Sequence, residues 1–298
     1  MTDWLEDNKI PLGKWAEAGV DWLTLNAAWL FDGLSAGLDA VILALLWVLQ
    51  TPHPFIVIAL VAVLAGRLRR SVPFGVFVAM GLLLIINQGY WEETTETLAL
   101  VLSATAVCMG LGVPIGIAAA RRPWLFTALR PVLDLMQTIP TFVYLIPALI
   151  LFGLGMVPGL IATVIFAIPA PIRLTHLGIT STPKTLIEAG AAFGATRRQL
   201  LFKVELPYAM PQIMAGLTQT IMLSLSMVVI AALVGADGLG VPTIRALNTV
   251  NIARGFEVGV AIVLVAIILD RMFRRAEGQG GKGGSKGGGK GGGKGGGP

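Results

Sequence analysis

The sequence predicts an all-α integral membrane protein, a polytopic bundle of about seven transmembrane helices preceded by an interfacial helical segment. Three observations predict it. First, 55% of the 298 residues are hydrophobic and only 13% are charged, where soluble domains carry about 25% charged residues. Second, apolar runs recur along the chain between short polar breaks. In lipid, a segment must satisfy its own backbone, which favours helices. Third, arginines gather at alternate ends of those runs, the asymmetry that orients membrane proteins.

The same pattern explains the charge. A net charge of +5 and a pI near 9.6 come from basic residues at span ends and in the tail, so no nucleic-acid partner is implied. Cys108 is the only cysteine and lies in an apolar run, which excludes an intramolecular disulfide and a cysteine-rich metal site. The first twenty residues are polar and acidic, without the basic start and apolar run of a signal peptide.

Residues 1–54 read as the N-terminal segment. Asp3, Glu6, Asp7, Glu17, Asp21 and Asp32 alternate with Trp4, Trp15, Trp22 and Trp29, a mixture expected of helices lying at the membrane surface. Residues 38–50 are apolar but short and read as a surface or half-buried helix. His53 lies between Pro52 and Pro54, without the Cys/His/acid neighbours a metal site needs.

Residues 55–276 hold seven expected spans near 55–67, 73–89, 96–119, 127–153, 158–178, 211–233 and 256–270. Arg67, Arg69 and Arg70 follow the first, and Arg121 and Arg122 the third. Arg173 lies near the inner end of the fifth, and Arg271, Arg274 and Arg275 follow the seventh. Odd spans thus end in positive charge, which places those ends and the C-terminus in the cytoplasm and the N-terminus outside. Glu92, Glu93 and Glu96, with Tyr90 and Trp91, mark the opposite surface. The fourth span carries Pro140 and Pro147, each of which invites a kink. Gln137, Thr138, Thr141 and Tyr144 fall at helical spacing there, so one polar face is expected to point at the bundle interior or a water-filled path. Polar glue between helices is the competing reading.

Residues 183–207 cannot lie in lipid. They hold Lys184, Glu188, Arg197, Arg198, Lys203 and Glu205, each worth roughly 2.5–3.5 kcal/mol of unfavourable insertion at a helix centre. Thr182 is expected to cap a short helix opened by Pro183, and Gly194 to end it with positive φ. Thr196 with Gln199 then reads as a capping box for a second short helix ending before Pro207. Leu186, Ile187, Leu200 and Leu201 are the expected anchors of this knuckle, and the small residues from Ala189 to Ala192 the surface open to another protein.

These residues carry a resemblance. Importer permeases of the ATP-binding-cassette class share a motif of Glu-Ala-Ala, three residues, Gly, nine residues, then Ile-x-Leu-Pro. Here Glu188, Ala189, Gly194, Leu206 and Pro207 match it outright, and Gly190 and Val204 stand for an alanine and an isoleucine. The run from Met136 to Pro147, with Leu151 to Gly159 after it, is similar to permeases of glycine betaine, proline and choline importers, as are Phe202–Pro207 and Leu223–Ala231. The resemblance implies that the knuckle docks on a separate cytoplasmic ATPase subunit. It also implies two permease copies around a central path, and a substrate delivered by an extracytoplasmic binding protein that grips quaternary ammonium with aromatic rings. Such a chain does no bond chemistry and needs no cofactor or metal, and no P-loop motif occurs in it. Gln137, Thr141 and Tyr144 are the candidate path residues. Competing readings are an importer of another small solute such as an amino acid, a self-sufficient channel or carrier, and a membrane scaffold. Residues 277–298 form a glycine-rich flexible tail with a lysine at every fourth position from Lys282 to Lys294, and anionic membrane lipid is its expected contact.

Overall fold

The computed structural model describes residues 11–273; the expectations for the first ten residues and for the tail lie outside the described residues. The chain folds as α1 (Leu12–Gln50), α2 (Pro54–Arg69), α3 (Val72–Asn87), α4 (Trp91–Arg121), α5 (Pro123–Thr138), α6 (Thr141–Phe152), α7 (Met156–Ala167) and α8 (Pro169–Thr180). The short α9 (Lys184–Ala192) and α10 (Arg197–Leu200) follow, then a π-helical turn (Leu201–Glu205), α11 (Leu206–Ala231), α12 (Gly240–Asn248) and α13 (Ile252–Phe273). Proline stands in the first turn of α2, α3 and α5. There its fixed φ suits the helix and its missing N–H has no partner to lose.

The core forms where side chains are absent. On α4, a Cβ at Gly112 would lie 2.8 Å from Pro171, and one at Gly116 would lie 2.7 Å from Thr175 Cβ and 2.8 Å from the Ile172 carbonyl, all on α8. On α11, a Cβ at Gly216 would meet the Pro171 backbone at 3.3 Å. Thus α8 is held between α4 and α11 at near backbone contact, the small-residue packing that drives helix association in lipid. Leu100, Val101, Leu160, Ile221 and Val258 fill the space alongside.

Five helical runs among the described residues are long and apolar enough to cross a membrane, six if α5 and α6 count as one broken span. Three expectations change. The fourth span is not straight: α5 and α6 meet at 95°, because Ile139 is extended (φ −66°, ψ 130°) and Pro140 cannot continue the ladder. Residues 38–50 are no separate short helix but the end of the 39-residue α1, which bends at Ala27 (φ −123°, ψ 15°). The first two expected spans are not among these runs: α2 and α3 have 16 residues each, about 24 Å of helix and short of a 30 Å hydrocarbon core, whereas α1 is among them.

The bundle has an arginine-rich end and an acidic end. At the acidic end, Leu239 N–H donates to Thr97 Oγ1 at 2.9 Å and Gly155 N–H to the Val234 carbonyl at 3.0 Å. There Glu92, Glu93, Glu96 and Asp237 line a cleft of about 200 Å³ with Arg245. Helix α1 is tied to this same end twice. Gln50 Nε2 donates to Thr95 Oγ1 at 2.9 Å, and Phe31 meets Phe152 edge to face at 5.4 Å. About 28 Å of helix separates Phe31 from Gln50, so this stretch of α1 runs across the acidic end rather than straight down the bundle.

Replacing Gly116 with valine is expected to lower the thermal unfolding temperature of the purified protein in detergent, with overpacking costing about 1–3 kcal/mol. Gly110→Val, where nothing lies within 4 Å of a new Cβ, is expected to leave it unchanged.

Candidate functional site

The polar excursion between α8 and α11 folds as a knuckle. Helix α9 starts at Lys184 with Pro183 as its N-cap. Thr182, expected as the cap, is instead buried and its hydroxyl has no partner, because Pro183 occupies the boundary position in extended conformation (ψ 133°). Gly194 ends the helix at φ +78°. Its N–H reaches the Ala191 carbonyl at 2.9 Å, and Ala195 N–H reaches the Gly190 carbonyl at 3.1 Å. This paired closure needs a left-handed residue, which glycine supplies without a Cβ penalty.

The second helix opens with the expected capping box. Thr196 Oγ1 accepts from Gln199 N–H at 3.3 Å, and Gln199 Oε1 accepts from Thr196 N–H at 2.8 Å. It does not end before Pro207. From Arg197 the chain stays helical to Val234, 38 residues in all. The π turn at Leu201–Glu205, where Leu206 N–H bonds the Leu201 carbonyl, is the reason. A widened turn accommodates a proline whose ring would crowd a regular helix.

The two helices close on each other at Gly190, where a Cβ would sit 2.6 Å from Leu200 Cδ2. Gly190 therefore faces inward, not onto the outer surface with Ala189, Ala191 and Ala192. Leu201 is buried among Ile179, Ala209 and Ile213, with Leu206 packed beside it. Leu186, an expected anchor, is largely exposed. Arg121 at the end of α4 clamps the second helix, donating to the Arg197 carbonyl at 2.9 Å and pairing with Glu205 at 3.5 Å. Such a partly exposed pair orients more than it stabilises, at about 0–1 kcal/mol.

What remains outside is a shallow surface of Glu188, Ala189, Ala191 and Ala192 edged by Phe193, which is 93% exposed. Beyond it, Phe202, Leu206, Pro207 and Met210 line an open cleft of about 380 Å³. Sequence reasoning missed Phe193. Its signal was an aromatic residue directly before the helix-ending glycine, on a segment too polar to lie in lipid, where a core partner is absent. Glu188 makes no ion pair among the described residues, so its carboxylate is free for a partner.

The candidate path residues do not form one helical stripe. Gln137 lies in the last turn of α5, whereas Thr141 and Tyr144 lie in the first turn of α6 beyond the 95° bend. All three are half-buried, and the Tyr144 hydroxyl is buried without a hydrogen-bond partner. The charges near this region, Asp134 and Arg173, pair with each other at 2.6 Å.

Substituting Thr196 with alanine removes one arm of the capping box, worth about 0.5–2 kcal/mol. Hydrogen exchange is expected to quicken at residues 197–200 and to stay unchanged in α4 and α11.

The comparisons with known proteins point the same way. The family of binding-protein-dependent transport system inner membrane components matches residues 112–277. The chain is 46% identical to the glycine betaine transport system permease protein OpuAB of Bacillus subtilis, over 89% of this chain and 93% of that one. It is 45% identical to the glycine betaine/proline betaine transport system permease protein ProW of Escherichia coli, over 88% of this chain and 74% of that one. In structure it is similar to the MetNI methionine ABC transporter in an inward-facing conformation. That match has a TM-score of 0.54 and 26% identity, covering 60% of this chain and 92% of that one. A broken-span helix bundle with a capped knuckle, a matching family and relatives aligned over most of their length leave one conclusion: the chain belongs to the binding-protein-dependent transport system inner membrane components, the multi-pass permeases of ABC importers.

Proposed function

We propose that this permease carries compatible solutes of the glycine betaine, proline betaine and choline type. The observation that carries the substrate class is the 46% and 45% identity to permeases with glycine betaine in their names, spread over almost nine-tenths of the chain. The permease is a bistable helix bundle, and ATP-driven closure of partner ATPases favours one of its two arrangements. It does no bond chemistry; hydrolysis belongs to the separate ATPase subunit, and an extracytoplasmic binding protein delivers the solute. One chain offers one knuckle, so two copies of the chain meet two ATPases around a two-fold axis.

On this reading the arginine-rich end and the C-terminus are cytoplasmic, and the acidic end faces the binding protein. Residues 1–54, with the stretch of α1 that crosses the acidic end, serve as an N-terminal extracytoplasmic segment. Residues 55–276 are the permease domain, and residues 277–298 a cytoplasmic tail. Glu188, Ala189, Gly190, Gly194, Leu206 and Pro207 form the coupling site. Glu188 and Ala189 contact the ATPase, Gly190 and Gly194 set the knuckle's shape, and Leu206 and Pro207 join it to α11. Phe193 adds an aromatic anchor, the residue type that dominates binding energy at interfaces. Gln137, Thr141 and Tyr144 belong to the solute path. The break between α5 and α6 frees backbone groups there, which in a membrane belong beside protein or water.

The knuckle is tested by co-purification with the ATPase. Ala189→Trp and Phe193→Ala are expected to fold and insert normally but to lose most bound ATPase and binding-protein-stimulated hydrolysis. Wild-type binding and transport in both would remove the knuckle from the mechanism. The path is tested with cysteines at Gln137, Thr141 and Tyr144, whose reaction with water-soluble thiol reagents is expected to change with nucleotide. Equal labelling at exposed Ile150 would reject the assignment. Uptake of labelled glycine betaine, choline and an amino acid by the reconstituted transporter decides the solute.

A further inference from the structure

Helices α2 and α3 form a hairpin on the side of the bundle, turning at Arg70, whose backbone is left-handed (φ +49°). The two helices nearly touch where side chains are missing. A Cβ at Gly75 would lie 3.0 Å from the Ala62 carbonyl and 3.5 Å from Gly66 Cα. Beside this contact the same small residues leave a groove of about 650 Å³, within the roughly 300–1,000 Å³ of small-molecule sites. Its floor is Ala62, Gly66, Gly75 and Ala79, and its walls include Val63 and Val76. Both valines are more than half exposed. From Ala62 to Arg70 the groove follows about 12 Å of helix.

Its chemistry is polarised. Along its length the lining is apolar, while at the turn it ends on Arg67 and Arg70. Neither guanidinium has a hydrogen bond or ion pair among the described residues, and no carboxylate lines the groove. An occupant must therefore be apolar for about 12 Å and anionic at one end, and the groove opens sideways along helices whose Phe55, Ile56, Leu60, Val72 and Met80 are exposed. A soluble anion fails the first requirement. A zwitterionic headgroup offers an ammonium for which the groove has no acid. We propose that the groove holds an acyl chain of an anionic phospholipid, with its phosphate between Arg67 and Arg70. The lipid fills a gap that the close helix contact leaves open and neutralises two otherwise unpaired charges. The site goes beyond the transport reading and rests on it only for which leaflet supplies the lipid.

The full-length protein in nanodiscs of equimolar phosphatidylglycerol and phosphatidylcholine tests this. A photoactivatable acyl chain is carried on one lipid or the other, and adducts are mapped by peptide mass spectrometry. The phosphatidylglycerol probe is expected to label residues 62–79 well above the phosphatidylcholine probe, at roughly five-fold per arginine near the surface. The double variant Arg67→Gln, Arg70→Asn is expected to lose that preference while both probes still label; asparagine tolerates the left-handed turn. Ala79→Phe, which fills the groove, is expected to lose labelling by both, with adducts on α13 unchanged as the folding control. Equal labelling by the two probes in the wild type, or a preference that survives loss of the arginines, overturns the proposal. So does disulfide formation between two copies through Val63→Cys, which would show the face covered by a second copy. Labelling of a cysteine at Arg70 by an impermeant reagent from the outer side would instead overturn the orientation and leave the groove's lipid preference standing.

Discussion

Everything else in this fold hangs on how closely α8 lies between α4 and α11. In lipid the hydrophobic effect does not pull helices together, so association depends on packing and on short approach distances. Gly112 and Gly116 on one side and Gly216 on the other let two helices reach the backbone of Pro171, Ile172 and Thr175. A further glycine, Gly178, packs α8 against Ala209 and Gln212 at the start of α11. The knuckle is the chain between α8 and α11. Its two attachment points are fixed because those helices are fixed, and Leu201 enters a buried cluster with Ile179 and Ala209 from both of them.

The bundle interior is built mainly from apolar and hydroxyl-bearing side chains. A self-sufficient carrier needs charged groups along its path. The main candidates offered by the sequence, Asp134 and Arg173, satisfy each other at 2.6 Å. What the interior offers instead is hydroxyls. Ser103, Thr105, Thr175 and Ser224 are buried without a partner, and several threonines return their hydroxyls to a carbonyl one turn back. A hydroxyl-bearing interior suits a machine whose driving energy enters from another subunit.

Legibility in the sequence divided along physical lines. Two short-range signals carry through into the structure. The Thr196–Gln199 box and the left-handed Gly194 depend on a few neighbouring residues, and both formed as expected. Thr182 failed because a following proline competed for the boundary. The fate of Pro140 was harder to read, since a proline in a membrane helix can bend it a little or break it. The accompanying extended Ile139 decided for a 95° break and separated Gln137 from Thr141. Neither the inward turn of Gly190 nor the exposure of Phe193 has a local signature. Both follow from where Leu200 and the rest of the bundle lie, which is tertiary information. The length of α1 was hidden by its acids, which suggested breaks where the helix bends only at Ala27.

The unbroken run from Arg197 to Val234 has a mechanical consequence. At 38 residues it is about 57 Å long, enough to reach from the knuckle through the bilayer to the acidic surface. It begins under the Arg121 clamp and ends where Val234 receives the Gly155 N–H. A rod of this kind needs no relay of side chains. Whatever tilts its first turn swings its last, and the loop that opens α7 is tied to that far end. Two compliant points lie near its start, the π turn beneath Pro207 and Pro211 a turn further on, close to the contact of Gly178 with Ala209, so how far a tilt at one end reaches the other depends on how stiff those few residues are.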